Sequence, residues 1–328
     1  MEADAEAGAF QRQYRALTSG AGLRVLDDRV IVRVTGDDRV SFFHGMCSND
    51  IKRLRTGGVL YALFLTEHAH VIADCFVWAT ENALLIEADR ASWPRTRAHL
   101  EKLLVADDVE LEESKTITVI DLEGPRSSEL ISRLKTAAPA PQPWSFVRDG
   151  DLLIGNLSRI GIPAFTILAP ESLSHSFAGE RAVARLGDAI AVGNQALDTI
   201  RIENGIAKVG VDTGDQTIAL EARLERAISF DKGCYLGQET IERATARGGL
   251  KKRLFGLRFD GPHVPEPGAS VLLGGKEVGH VSSAASSPRF GAIGLSILHH
   301  SAWTPGAKLE IRDRSARFEA VVSDLPFK

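Results

Sequence analysis

One cysteine, Cys234, lies in a segment whose composition favours reactive sulfur chemistry. Glycines lie close to it on both sides, and residues 238–247 predict a short helix that two further glycines end. The thiol would then precede a helix N-terminus, and Lys232 lies two residues away, so both features favour thiolate over thiol. We therefore expect a redox thiol or a metal ligand at Cys234, with Lys232 beside it. The alternative is a small buried apolar cysteine in a turn that the glycines form.

Two carboxylates are further candidates for chemistry. Asp74 interrupts an apolar segment, 70–78, that predicts a strand. A carboxylate there either faces solvent or needs a partner, and in the second case its pKa is open to shifts. Glu203 falls in the last turn of a helix predicted over 194–204, where the negative end of the helix dipole costs it about 0.3–1 kcal/mol. Helix propensity therefore does not explain its presence.

The composition excludes few function classes. At 328 residues, with 44% hydrophobic and 25% charged residues and a net charge of −4, the chain is an ordinary globular protein and not a dedicated nucleic-acid binder. Its three cysteines are far apart, which indicates neither a disulfide framework nor a zinc site and fits a reducing, cytoplasmic compartment. The acidic start of the chain predicts no secretory signal or transit peptide, and no segment predicts a membrane-spanning helix.

The elements that must position these residues are a mixture of strands and helices. Strands are expected at 29–35, 61–65, 70–78, 83–88, 116–121 and within 151–169, and helices at 40–46, 92–104, 124–134, 178–186 and 194–204. The proline-rich residues 139–143 predict a stiff connection. From Leu254 onward, short β-segments separated by turns predict a small barrel. The fold class is therefore α+β, with one region at 1–250 and a C-terminal β-barrel domain at 251–328.

Several motifs carry a resemblance to a known family. The octapeptide Lys232-Gly-Cys-Tyr-Leu-Gly-Gln-Glu239 looks like the signature of the folate-binding YgfZ family, relatives of the glycine-cleavage T-protein that support iron–sulfur enzymes. Phe43-His-Gly-Met46 and Ser48-Asn-Asp-Ile51 resemble the opening motif of the T-protein superfamily, commonly Phe-Leu-Gln-Gly followed by Thr-Asn-Asp. Arg201-Ile-Glu-Asn-Gly205 matches its Arg-Leu-Glu-Ala-Gly. The departures from these patterns are at His44 and Cys47.

The resemblance implies a T-protein-like architecture of mixed α/β folate-binding subdomains, two of them interleaved in residues 1–250. It implies that tetrahydrofolate binds with its pterin on Glu203, because a carboxylate can accept two parallel hydrogen bonds from the pterin amino group and ring N–H. It implies a catalytic role for Asp74, although the T-protein has adjacent aspartates where this chain has Ala73-Asp74. Further folate-binding residues are expected at Asn49, Asp50, Arg223, Gln238 and Glu239. Asn49 and Asp50 are equally compatible with a simple turn.

Two functions are compatible with these residues. The leading hypothesis is a tetrahydrofolate-binding protein that supports assembly or repair of iron–sulfur clusters in client proteins, with Cys234 as its key thiol. The rival is a folate-dependent aminomethyltransferase in which Asp74 is catalytic and Cys234 is incidental. A plain thiol oxidoreductase is a third possibility. No resident metal is expected, because His68 and His70 lack further ligands, and His299 and His300 would point to opposite faces of a strand.

Overall fold

The computed structural model describes residues 2–134, 140–174, 189–246, 249–314 and 316–328. The chain forms two compact units, of which the first consists of Met1–Phe64 and Ala73–Leu197. The second consists of Leu65–Ile72 and Asp198–Lys328. The helix predicted at 178–186 lies outside the described residues, as does Pro139 of the predicted connection.

Two sheets form the framework of the first unit. Their strands are β1 (Gly22–Leu26), β2 (Arg29–Thr35), β3 (Val59–Leu65), β4 (Val71–Ala79), β5 (Leu84–Asp89), β6 (Glu110–Ser114), β7 (Ile117–Glu123), β8 (Phe146–Asp149), β9 (Leu152–Asn156), β10 (Ala164–Pro170) and β11 (Ile190–Ala191). One sheet has the order β3-β4-β5-β2-β6, and the other has the order β11-β1-β7-β10-β9-β8. Runs of valine, isoleucine, leucine and phenylalanine favour these strands, because such side chains pack well on a pleated surface.

Seven α-helices in the described residues are interspersed with the strands along the chain. They are α1 (Glu2–Ser19), α2 (Arg39–Met46), α3 (Trp93–Leu103), α4 (Ser127–Leu134), α5 (Glu171–Ser174), α6 (Asn194–Glu203) and α7 (Gln238–Ala246). Helix α4 packs Leu130 and Ile131 against the core of the second sheet, which also contains Ile120, Phe165 and Ile167. Neither α1 nor β1 is among the elements predicted from the sequence.

The end of α6 shows how the sequence stops a helix. Gly205 has φ +66°, its N–H donates to the carbonyl of Ile202, and the N–H of Ile206 donates to the carbonyl of Arg201, both over 2.9 Å. This is the paired hydrogen-bond pattern that glycine supplies at helix C-termini. Glu203 is the last residue of α6, one residue before the predicted end at 204, and it lies in the last turn as predicted.

The second unit ends in a closed barrel. Its strands are β12 (Lys252–Phe259), β13 (Ser270–Leu273), β14 (Lys276–Ser287), β15 (Gly291–His299), β16 (Lys308–Asp313) and β17 (Ala316–Ser323), in the order β12-β15-β14-β13-β16-β17. The interior is apolar, with residues such as Leu257, Val271, Val281 and Ile311 fully buried. The predicted α+β class with a small C-terminal β-barrel is therefore confirmed.

Candidate functional site

The carboxylate of Asp74 is held by a phenol on the neighbouring strand. Along β4, Asp74 is partly exposed, whereas every other residue is buried. Tyr61 on β3 donates a hydrogen bond from its hydroxyl to Oδ2 of Asp74 over 2.9 Å. The Tyr61 ring itself is buried and lies 4.9 Å from the ring of Phe76. Asp74 is therefore an oriented carboxylate with partial access to solvent, which is the geometry that proton transfer to a bound molecule requires.

Asn49 and Asp50 form the turn that follows α2. The Asn49 side chain donates to the carbonyl of Tyr61 over 2.9 Å, and its Oδ1 accepts the N–H of Asp50 over the same distance. Asp50 Oδ1 accepts the N–H of Arg53 and so caps a short 3₁₀ helix, Ile51–Arg53. These contacts fit the turn interpretation and connect the turn to the strand that carries Tyr61. Folate contacts by Asn49 and Asp50 stay predictions.

A buried charged cluster in the first unit was missed by the sequence analysis. Arg159 forms ion pairs with Glu87 over 2.8 Å and with Asp121 over 2.7 Å. Thr166 donates to Asp121 over 2.5 Å. The Arg159 guanidinium carbon lies 4.4 Å from the centroid of Phe76, the ring that packs on Tyr61. Glu87 and Asp121, like Asp74, are acidic residues within apolar strands. The pattern that identified Asp74 could therefore have identified these two residues as well.

The charges of this cluster balance each other. Burial raises the pKa of Glu87, but Arg159 and Arg29 outweigh it and hold that pKa below its usual value. For Glu123, two residues from Asp121 on β7, the charges of Arg159 and Arg24 lower the pKa by less than burial and Asp121 raise it. Burial, followed by the charge of Asp121, raises the pKa of Glu123 to about 8. Its environment therefore favours the neutral carboxylic acid over the carboxylate.

Glu203 is buried in the second unit, with 7% of its surface exposed. Ser287 on β14 donates to Oε1 of Glu203 over 2.6 Å, and the same serine oxygen accepts the N–H groups of Arg289 and Phe290. The N–H of Phe327 donates to the backbone carbonyl of Glu203 over 2.9 Å. The carboxylate is thus fixed in orientation, as a bidentate contact with a pterin would require.

Arg201, two residues before Glu203, is the centre of a buried network. Its Nη1 lies 2.7 Å from Oδ2 of Asp212, and its Nη2 donates to Ser283 over 2.7 Å. The other oxygen of Asp212 accepts the hydroxyls of Ser282 over 2.5 Å and Ser283 over 2.7 Å. These bonds occupy both carboxylate oxygens of Asp212. Because Asp212 lies in the segment after α6 and both serines lie on β14, the network connects that segment to the barrel.

Cys234 is exposed, so the alternative of a small buried apolar cysteine is wrong. Helix α7 begins four residues later, at Gln238, as predicted. Lys232 is buried, and its Nζ lies 4.8 Å from the centroid of the Tyr235 ring, a cation–π contact. The lysine therefore places its charge against Tyr235 within the loop that presents the thiol.

The remaining predicted folate residues lie in different environments. Gln238 accepts the N–H of Tyr235 at the start of α7, and Glu239 is exposed and paired with Arg243 one turn along the helix. Arg223 has φ +56° and donates to the carbonyl of Leu254 over 2.8 Å. Burial, followed by the charge of Arg253, lowers the pKa of Arg223. Arg223 is therefore the one cation among these three residues, and its side chain is half-buried.

No group of three or more histidine, cysteine, aspartate or glutamate side chains in the described ranges is arranged to hold a metal ion. One expectation about the histidines was wrong. The rings of His299 and His300 lie only 4.1 Å apart, because β15 ends at His299 and His300 begins a 3₁₀ helix. Of the helices that the structure describes, none is both long and apolar enough to span a membrane.

Two family models match the chain. The GCVT N-terminal domain matches residues 4–162, and the glycine cleavage T-protein C-terminal barrel domain matches residues 252–328. The second match begins at the first strand of the closed barrel.

Curated relatives and a solved structure extend the similarity over nearly the whole chain. A chloroplastic protein of Arabidopsis thaliana, provisionally named a transferase, is 29% identical over 90% of this chain and 68% of its own length. An aminomethyltransferase of Nostoc is 27% identical over 96% of this chain and 87% of its own. The crystal structure of the glycine cleavage system aminomethyltransferase T from Bartonella henselae superposes with a TM-score of 0.88 at 20% identity, covering 97% of this chain and 89% of the other. This likeness establishes the fold.

Proposed function

Because the chain belongs to the T-protein (aminomethyltransferase) superfamily, we propose that it binds tetrahydrofolate and catalyses folate-dependent one-carbon transfer of the aminomethyltransferase type. Support comes from relatives named aminomethyltransferase, among which that of Bacillus subtilis aligns with 97% of this chain and 91% of its own length. The observation that carries the proposal is the Asp74 carboxylate, half-buried and hydrogen-bonded by Tyr61.

Asp74 has the chemistry that such a transfer needs. Moving an aminomethyl carbon from its carrier to tetrahydrofolate forms two carbon–nitrogen bonds to the folate and breaks the bonds of that carbon to the amine and to the carrier. Of the two protons that the folate nitrogens lose, one leaves with the amine as ammonia and the other leaves with the carrier. A carboxylate with one oxygen engaged by a phenol keeps the other available to accept or return a proton. We assign this proton-transfer role to Asp74 and an orienting role to Tyr61.

Glu203 is proposed to bind the pterin. Its carboxylate is held by Ser287, which limits the rotations that a ligand would otherwise have to restrict. Charge-assisted hydrogen bonds from a pterin amino group and ring N–H would give this contact both strength and direction.

The test is formation of methylenetetrahydrofolate from an aminomethyl donor by the purified protein. Asp74→Asn should lower turnover by about 100-fold or more, since general acid–base groups contribute about that much, while the folate Kd changes little. Asp151→Asn, at an exposed aspartate of the same unit, is the matched control and should retain full turnover. No turnover by the unaltered protein, or full turnover by Asp74→Asn, would refute the proposal.

A second candidate is favoured by the exposure of Cys234. A solvent-accessible thiol preceded by a buried lysine is compatible with a tetrahydrofolate-binding factor that supports iron–sulfur clusters in client proteins. In cells that lack such a factor, Cys234→Ser should then abolish rescue of iron–sulfur enzyme activity, whereas Asp74→Asn should not. The one-carbon transferase predicts the opposite pattern, with turnover dependent on Asp74 and independent of Cys234.

A further inference from the structure

The second unit contains a cleft with a volume of about 750 Å³ that none of the folate residues discussed above lines. One wall is the loop at 211–217, and the other consists of barrel residues from β12, β14 and β15. Ser282 lines the cleft and donates to Asp212, so the network around Arg201 holds the two walls together. A volume of this size is typical of small-molecule sites.

Cationic side chains meet at one end of the cleft. Lys252, Lys276 and His299 all line it. Lys252 and His299 are direct cross-strand partners on β12 and β15, so their side chains leave the barrel on the same face. Neither lysine forms an ion pair with a side chain in the described part of the chain.

Most acidic residues that line the cleft already form hydrogen bonds or ion pairs within the protein. Asp212 is bonded by Arg201 and two serines, and Glu277 lies 3.3 Å from His280. Burial raises the pKa of Glu221, against the opposing effects of its bond from the Ile218 N–H and of the charges on Lys252 and His70. Glu221 accepts the N–H of Ile218 over 3.1 Å. The remaining acid on the lining is Asp215, in the loop wall, and it also has an interaction of its own.

The electrostatic effect on His299 shows which sign dominates at this end. Burial lowers the pKa of His299, and the charges of His300, Lys276, Lys252 and Lys251 lower it further. Each of these charges is positive. The cations therefore repel one another here, and a bound anion would relieve the repulsion.

From this arrangement we infer that the cleft is a binding site for a small molecule with two or more anionic groups, either carboxylates or phosphates. Lys252 and Lys276 contact its anionic oxygens, and His299 takes up a proton as the ligand binds. Two sources share this chemistry: a phosphate chain, as in a nucleotide-like metabolite, and a chain of carboxylates, as in a γ-linked oligoglutamate. The site does not depend on the proposed one-carbon transfer.

Calorimetry on the full chain tests the inference with two probes, inorganic tripolyphosphate and γ-linked triglutamate, at low salt. At least one probe should bind with a Kd below about 1 mM. The double variant Lys252→Gln/Lys276→Gln should weaken that binding about tenfold or more, because two charge-assisted contacts are lost. Lys308→Gln removes a barrel lysine that pairs with Glu319 outside the cleft, and it should bind as the unaltered protein does.

The probe that binds identifies the source of the ligand. Binding should also raise the pKa of His299, which an NMR titration of its ring proton measures without reference to activity. The inference is overturned if neither probe binds with a Kd below about 1 mM, if the double variant binds as well as Lys308→Gln, or if the pKa of His299 does not change on binding.

Discussion

The hydroxyl of Tyr61 and the carboxylate of Asp74 are joined by a 2.9 Å hydrogen bond between β3 and β4. Tyr61→Phe removes this bond and leaves the ring packed on Phe76. We expect turnover in one-carbon transfer to fall about tenfold, because a hydrogen bond to a charged group contributes about 1.5–3 kcal/mol and orients it. The measurement is kcat by methylenetetrahydrofolate formation. An unchanged kcat would show that Tyr61 does not position Asp74.

Glu203→Gln tests the pterin contact. The amide keeps the shape of the carboxylate but loses its charge, so tetrahydrofolate should bind about 10-fold or more weakly, corresponding to the 1.5–3 kcal/mol of a charge-assisted bond. Fluorescence or calorimetric titration gives the Kd. Ser287→Ala is the companion variant, because it removes the bond that orients Glu203 and should weaken binding by a smaller factor. Equal Kd values for Glu203→Gln and the unaltered protein would remove Glu203 from the folate site.

Local signals explain how far the sequence predicted the fold. The barrel strands alternate with turns, and α6 ends at a glycine that adopts positive φ, so both were predicted close to their observed bounds. The barrel strands and the end of α6 are both determined by residues that are close together in the sequence. No comparable signal identified α1, although Leu17 is fully buried in it.

The candidate site needed tertiary information. Asp74 was found because a carboxylate in an apolar strand is unusual, but its partner Tyr61 lies on another strand. Arg159 meets Glu87 and Asp121 only where elements distant in sequence pack together. Which acids remain charged follows from burial and from these ion pairs, and neither can be read from spacing along the chain.

Two glycines beside Cys234 should respond differently to substitution. Gly237 has φ +88°, and an added Cβ would lie 2.8 Å from the backbone carbonyl oxygen of Thr66. Gly237→Ala should therefore reduce the free energy of unfolding by about 2 kcal/mol or more, through backbone strain and the clash. Gly233 has no atom within 4 Å of such a Cβ, so Gly233→Ala should change stability by less than about 0.5 kcal/mol. Urea denaturation measures both, and similar losses would contradict the assigned loop conformation.

The thiols should separate into two reactivity classes. Of the three cysteines, Cys234 is exposed, whereas Cys47 and Cys75 are buried. Burial, followed by the contact with Cys47, raises the pKa of Cys75 and suppresses its thiolate. A chromogenic disulfide reagent should react quickly with one thiol in the native protein and with all three in denaturant. Cys234→Ser should eliminate the fast phase, and its survival would assign the exposed thiol elsewhere.

Glu123 should make the stability of the protein depend on pH. Its pKa is raised to about 8 in the folded protein from an ordinary value of 4.5, so the folded state binds a proton that the unfolded chain releases. The stabilisation from this proton is fully present below pH 4.5 and is lost as the pH rises through about 8.

Glu123→Gln replaces the acid with a neutral amide and avoids this loss. Its stability relative to the unaltered protein should increase from pH 5 to pH 8.5 by about 1–3 kcal/mol, a fraction of what 1.36 kcal/mol per pKa unit allows for a buried group. Urea denaturation across this range measures the difference, with Glu110→Gln at an exposed glutamate as the matched control. A difference that does not change with pH would mean that Glu123 is ionised in the folded protein.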